Sequence, residues 1–367
     1  MMEEHYCMWL SRVEGIGLKR FCLLMDTFGS AENIWHAKRE SLLSVSTLPE
    51  KLIDTIIHSR DAERLDRWIA ELEEGDIYFL SIYHPQYPAL LKEIYNPPIG
   101  IYLKGELPDD EINKVAVIGA RRCSHYGASV AYQITKDLGK TNICIVSGMA
   151  AGIDSMAHKG IMDGDGKTIA VLGTGVDICY PKENTDLMER IIANGCVLSE
   201  YPPGTYAAPK RFPARNRIIA GLCKMVVVVE AGKKSGTLIT ADFALESGRE
   251  VFVVPGNVTS SFSEGTNNLI KQGCPVITEG KDILIELGIS YSNTEKQKFN
   301  QKISETLTDE EKAVYDLIVD QNPIGAEVLA RQLKVSVQEV QYILSILEIA
   351  GHIKKIPQGG YIREVKI

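Results

Sequence analysis

The sequence predicts an α/β protein built on a doubly wound parallel sheet, with a helical segment before the sheet and a smaller helix-rich domain after it. Three observations carry this. Apolar, strand-like runs begin near Val115, Ile143, Thr168, Gly195, Met225 and Glu250. They recur at the spacing of βα units, with helix-like stretches between them. Residues 1–76 read as helix throughout, with amphipathic runs at 20–25, 52–57 and 62–72,. Beyond residue 303, helix-like stretches at 309–320, 326–333 and 337–350 precede Lys354-Lys355-Ile356-Pro357-Gln358-Gly359-Gly360-Tyr361-Ile362, a hairpin with a Gly-Gly turn,. Three helices and a hairpin have the form of a winged helix.

These signals divide the chain into a helical domain at 1–76, a connector at 77–111, the sheet domain at 112–289, a polar linker at 290–303 and the winged helix at 304–367. With 367 residues and 45% hydrophobic content, such a chain can bury a substantial core. No apolar run approaches the length of a membrane span, and the N-terminus lacks a signal peptide's basic start and apolar core. Its eight cysteines form no C-x-x-C pair, so neither a zinc site nor a disulfide framework is expected. A cytoplasmic protein with free thiols and no membrane partner is expected, without a cofactor. Net charge is −8, which argues against indiscriminate coating of nucleic acid. The charge is uneven: it sums to −6 over 1–76, −3 over 77–111, +4 over 112–304 and −3 over 305–367.

In the first segment, Val13-Glu14-Gly15-Ile16-Gly17 resembles the turn of a helix-hairpin-helix, which offers loop amides to a phosphate. With fifteen acids against nine bases in 1–76, a structural or partner-docking role is favoured. The connector words Tyr87-Pro88 and Asn96-Pro97-Pro98 suit extended chain and turns, because proline pushes its predecessor out of helix.

In the sheet domain the strand ends are informative. Gly119-Ala120-Arg121-Arg122, Ser147-Gly148-Met149-Ala150, Gly173-Thr174-Gly175, Ser199-Glu200-Tyr201, Ala231-Gly232 and Pro255-Gly256 put small residues along one edge, where a ligand can approach backbone. The dinucleotide fingerprint G-x-G-x-x-G is absent after the first strand, and no Walker A order G-K-[ST] occurs. NAD, FAD and ATP are therefore poor candidates.

Basic side chains identify a different ligand. Lys210, Arg211, Arg215, Arg217, Lys224, Lys233 and Lys234 lie between Tyr201 and Thr237 against the single acid Glu230. Arg121 and Arg122 end the first strand of the βα series. A row of cations suits a strand of phosphates, and Phe212 among them offers a face for base stacking, unless it is a core anchor of its helix. Two arginines around Asn216 favour phosphate contacts over a merely solvated helix start. Ser235-Gly236-Thr237, turning into a helix, can hold a phosphate on free amides, as can the strand ends at Gly119 and Gly148.

Catalysis finds less support. Asp154 and His158 are four apart and share a helix face if that stretch is helical. They form either an acid–base pair or a side-chain tie that holds a loop, and the tie is favoured. Asn184 is read as a helix cap.

Val117-Ile118-Gly119-Ala120-Arg121, Ser147-Gly148-Met149-Ala150-Ala151-Gly152-Ile153-Asp154-Ser155-Met156-Ala157-His158, Tyr180-Pro181-Lys182-Glu183-Asn184, Ser199-Glu200-Tyr201-Pro202-Pro203-Gly204, Phe212-Pro213-Ala214-Arg215-Asn216-Arg217, Ser235-Gly236-Thr237-Leu238-Ile239-Thr240-Ala241 and Pro255-Gly256-Asn257 together resemble the DNA-processing protein A (DprA/Smf) family. The resemblance implies an extended Rossmann-like domain that binds single-stranded DNA, dimerises and helps load a RecA-type recombinase in natural transformation. It also implies a SAM-like or helix-hairpin-helix N-terminal domain and no enzymatic activity. Arg121, Lys210, Phe212, Arg215 and Arg217 match its DNA-contacting region, with Arg122, Arg211, Asn216, Lys233 and Lys234 beside them. The rival reading is a nucleoside monophosphate glycosidase of related fold, whose Gly-Gly-x-Gly-Thr-x-x-Glu word supplies a catalytic acid. Here Thr240 stands at the acid position. In the winged helix, residues 336–350 carry Glu339 and Glu348 and no base, which favours a protein-docking module over a duplex reader.

Overall fold

The computed structural model describes residues 2–45, 47–289, 307–318, 324–350, 352–355 and 360–363. They fall into two compact units, residues 1–289 and 290–367.

The first unit is organised on one eight-stranded sheet. Its strands are β1 (Ile77–Ser81), β2 (Gly100–Gly105), β3 (Asn113–Ile118), β4 (Ile143–Ser147), β5 (Lys167–Val171), β6 (Cys196–Ser199), β7 (Met225–Val228) and β8 (Glu250–Val253). They lie in the order β1-β2-β6-β5-β4-β3-β7-β8. The strands from β6 to β8 pair in parallel. Both faces of this part are covered, so its strands are continuous apolar runs. Alternate residues divide between two layers: Val115, Val117, Ile145 and Val227 face one core, and Ala116, Ile118, Val146 and Val228 the other.

The segment read as a connector is part of this sheet. β1 pairs antiparallel with β2, and β2 antiparallel with β6. The prolines at 85, 88, 97 and 98 lie in the crossing between β1 and β2. The helical segment is likewise continuous with the sheet. Its helices Glu3–Ser11, Leu18–Phe28, Ala31–His36, Arg39–Leu43, Glu50–His58 and Ala62–Glu74 bury Trp9, Phe21, Leu24 and Ile53 in the same core as Val115. The Glu4 carboxylate accepts from the Ser81 amide (2.6 Å) and hydroxyl (2.8 Å), tying the first helix to β1.

From β3 the chain builds outward through β4, β5 and β6, then returns to place β7 on the other side of β3. The carboxyl ends of β3 and β7 are thus the switch point, where open α/β sheets bind their ligands.

In the second unit, helices Asp309–Leu317, Ala326–Leu333 and Val337–Ile349 enclose Val314, Leu329, Val340 and Leu344. An antiparallel pair follows, β9 (Ile353–Lys355) and β10 (Tyr361–Arg363). This is a winged helix. Ser336 and Glu339 form a reciprocal cap at the start of the third helix, so Glu339 serves the helix terminus. The linker at 290–303 and most of the hairpin turn lie outside the described residues.

Candidate nucleic-acid interface

At the switch point the chain supplies its own anion. Glu230 follows β7 and is buried. Its carboxylate accepts from the Ser124 amide at 2.8 Å and from the Ser124 hydroxyl. Ser124 caps helix His125–Asp137, the helix whose N-terminus would face a pyrophosphate in a dinucleotide enzyme. A Cβ at Gly127 would fall 2.4 Å from the same carboxyl group. The best anion position of the fold is occupied by a side chain, which gives a physical reason for the missing nucleotide motifs.

Beside it lies the loop between β4 and helix Ile153–Asp163. Met149 has φ 55 and Gly152 φ 85, and a left-handed non-glycine residue costs about 1–2 kcal/mol. Several side chains hold the loop in this shape. Asp154 accepts from the amides of Gly148 (3.2 Å) and Ala150 (3.4 Å). Asn184 donates from Nδ2 to the Met149 carbonyl (2.8 Å) and Ser155 Oγ (2.9 Å). Asn184 precedes helix Thr185–Asn194 without capping it through its side chain, contrary to expectation; its side chain is turned to the strained loop instead. Asp154 is the loop tie, while His158 turns elsewhere. Thr168 gives its hydroxyl proton to the Ile145 carbonyl (2.7 Å), so it accepts from His158 Nδ1 at 2.7 Å,. Burial pushes the imidazole down to about 3. Burial also raises the Asp154 carboxyl above its ordinary range, against the nearby Arg215. The two side chains are separately bonded and not an acid–base pair.

Arg215 departs furthest from the sequence reading. It is 4% exposed. Its Nη1 donates to the Gly148 carbonyl (2.9 Å) and to the Val171 carbonyl, joining the ends of β4 and β5. Its Nε reaches Asn216 Oδ1 at 3.3 Å. Burial lowers its pKa to about 10, which leaves it charged at neutral pH. Gly148 is glycine because a Cβ there would lie 2.5 Å from this guanidinium. With its amide on Asp154 and its carbonyl on Arg215, Gly148 offers no phosphate site. Gly119 similarly admits Ile153, whose side chain would be 2.5 Å from a Cβ. Arg217 donates from Nη2 to both Glu200 oxygens at 2.6 Å. These two arginines are therefore ties within the sheet edge; helix Arg211–Gly221 lies across the strand ends and turns them inward.

The rim is different. Arg121 is exposed, and its guanidinium lies over the Phe212 ring at 5.1 Å. Tyr180 packs on Phe212 with centroids 5.3 Å apart. Phe212 is half-buried and stands over Gly173, where a Cβ would come within 2.9 Å. Next along the helix, Arg211 covers the Tyr201 ring at 5.3 Å and donates to the Tyr206 carbonyl. Tyr206 is 76% exposed, on a loop held by Asp177, which accepts from the Gly204 amide at 2.9 Å. Lys210 and Arg122 are exposed, and so are Lys233 and Lys234 after β7. Ser235 caps helix Gly236–Glu246, accepting from the Thr237 amide and donating to Thr237 Oγ1 at 2.9 Å, while Gly236 is exposed. Tyr180, Tyr201 and Tyr206 did not stand out as site residues in the sequence. Their position among the cations and glycines of the strand ends was the available signal. Thr240, where the glycosidase word has its acid, is buried.

Fold and edge together define a class: a Rossmann-like protein whose switch point is filled from within and whose open surface alternates cations with aromatic rings. Comparison with known proteins makes this specific. Residues 78–288 match the family described as DNA recombination-mediator protein A, and residues 301–359 match the DprA winged helix domain. The chain is 40% identical over 290 residues to protein Smf of Synechocystis sp., covering 78% of this chain and 73% of the relative. It is 46% identical over 206 residues to DNA processing protein DprA of Streptococcus pneumoniae, covering 56% and 73%. The crystal structure of the Streptococcus pneumoniae protein superposes with TM-score 0.67 at 35% identity, covering 78% of this chain and 98% of that one. A structure of DNA processing protein A from Helicobacter pylori, described for its single-stranded DNA binding mode, gives TM-score 0.51 at 29% identity over 57% of this chain and 95% of that one. The chain belongs to the DNA recombination-mediator protein A (DprA/Smf) family. Among the described residues, no helix is long and apolar enough to cross a membrane.

Proposed function

We infer that this protein binds single-stranded DNA along the rim and delivers it to a RecA-type recombinase, acting as a homodimer in the cytoplasm during DNA uptake and recombination, with no chemistry of its own. The observation that carries the reading is the Arg121–Phe212–Tyr180 stack, flanked by Lys210 and by Arg211 over Tyr201. Aromatic faces that accept any base, set between cations that accept its phosphates, bind a single strand without reading its sequence. Lys233 and Lys234 extend the row, and the Ser235–Thr237 turn supplies a further phosphate position. The single-stranded DNA binding of the Helicobacter pylori relative and the recombination-mediator description of the family support the same assignment.

Fluorescence anisotropy with mixed-sequence single strands tests it. Affinity is expected to fall with salt at a log–log slope of about −0.7 per phosphate contacted. Salt-independent binding, or none, defeats the reading. Release of base from nucleoside monophosphates at enzymatic rates would restore the glycosidase alternative.

A further inference from the structure

The rim does not end at Tyr201. That residue also lines a cleft of about 580 Å³ between the helical segment and the sheet, together with Arg12, Gly17, Trp68, Asn96 and Glu200. The volume is that of a small-molecule pocket. Its interior repeats the chemistry of the rim. The Arg12 guanidinium lies 4.2 Å from the Trp68 ring and is fixed by a 2.9 Å bond from Nε to the Tyr102 hydroxyl. Tyr95, 96% exposed, stands in the chain just before Asn96. One wall is Ile16, Gly17 and the start of helix Leu18–Phe28, which has no side-chain cap. Locally the sign is favourable: between residues 11 and 25 the charged groups are Arg12, Lys19, Arg20 and Glu14. Glu200 is already paired with Arg217.

We propose that this cleft is a second subsite for the same single strand, taking a nucleotide that lies beyond Tyr201, with its base against the Arg12–Trp68 pair and its phosphate at the Gly17 turn. The proposal rests on the rim binding single-stranded DNA. It assigns the helical segment a contact with the strand, in place of the structural or docking role read from its acidity.

Gly17→Asp separates this from a merely structural turn. Gly17 has φ −103 and ψ 176, which any residue adopts, and a Cβ there meets nothing within 4 Å. Asp is a preferred N-cap, so the melting temperature should hold or rise while a negative charge enters the phosphate position. Lys19→Glu, at an exposed position, is the second variant. Both are measured by anisotropy against oligothymidylates from about five to about thirty nucleotides, a range bracketing single-strand site sizes. Wild type should gain affinity with length. The two variants should match it on the shortest strands, lose roughly tenfold on the longest, and show a salt slope there shallower by about 0.7. Phe212→Ala, a rim change, should weaken every length. Wild-type behaviour of both variants at all lengths overturns the subsite and leaves the rim standing. Failure of wild type to bind any length overturns both.

Discussion

Arg121 and Arg215 stand at the same end of the same sheet, and both bear on helix Arg211–Gly221. One lies exposed over the Phe212 ring. The other is 4% exposed and holds the ends of β4 and β5 together through two carbonyls. The floor of the edge, made of Arg215, Asp154, His158 and Glu230, is a set of ionisable groups each engaged with backbone or with a neighbouring hydroxyl. The rim, made of Arg121, Phe212, Tyr180, Lys210 and Arg211, carries cations on aromatic faces with room beside them. Position relative to the helix axis decides which an arginine becomes. The helix start projects outward, and the next turn covers the strand ends. A buried floor of this kind fixes the rim in place, since the loops bearing Tyr180 and Arg121 leave strands that the floor ties together.

The largest effect should come from the floor. Arg215→Ala leaves two buried carbonyls without their partner and removes the positive charge near Asp154, and removing one side of a buried charged network costs about 3–5 kcal/mol. Urea unfolding should show that loss, with single-strand binding failing only where the fold fails. A variant that melts like wild type yet binds as weakly as Arg121→Ala would place Arg215 on the rim after all.

The floor also predicts a pH dependence. The folded pKa of His158 is depressed to about 3, so the unfolded chain takes up its proton first. Its contribution is whole above the ordinary histidine value of about 6.5 and is lost as pH falls from there toward 3. His158→Gln, which keeps a donor for Thr168, should flatten the acid limb of the stability–pH curve in that window. An unchanged limb would mean that His158 is accessible enough to titrate in the folded protein.

The division between floor and rim explains what the sequence could reveal. The parallel strands were legible because strands buried on both faces are continuous apolar runs, and the readings at Val115, Ile143 and Met225 fall within β3, β4 and β7,. The strands β1 and β2 were hidden by the prolines between them, although Ile77-Tyr78-Phe79-Leu80 is itself apolar. The basic stretch marked the correct edge, since charge is visible in composition. Facing is not: only the helix's placement shows that Arg215 and Arg217 turn inward while Arg211 turns out. Of the rim's aromatics only Phe212 was singled out, for a related reason. Tyr180, Tyr201 and Tyr206 come from two loops brought together by Asp177 and the ends of β5 and β6, and their proximity has no sequence signature.

A smaller effect should come from the stack itself. Phe212→Ala removes the ring between Arg121 and Tyr180, and base–aromatic stacking contributes about 1–3 kcal/mol per base. Affinity for mixed-sequence single strands should fall about tenfold or more. Melting should shift little, since the ring is half-buried and stands over Gly173 instead of in the core. If the loss appears in melting and not in binding, Phe212 belongs to the floor.

The smallest effect distinguishes the two ends of the rim. Lys233 and Lys234 are exposed and follow β7, on the far side of the switch point from Tyr201, so they reach the strand only if it crosses the occupied Glu230 position. Lys233→Ala should weaken binding only severalfold and reduce the log–log salt slope by about 0.7, the signature of one lost phosphate contact. Arg122→Ala, nearer the stack, should do the same. A slope altered by Arg122→Ala but not by Lys233→Ala would end the path at β3, because a carboxylate buried at the switch point cannot itself attract the phosphates that would have to pass over it.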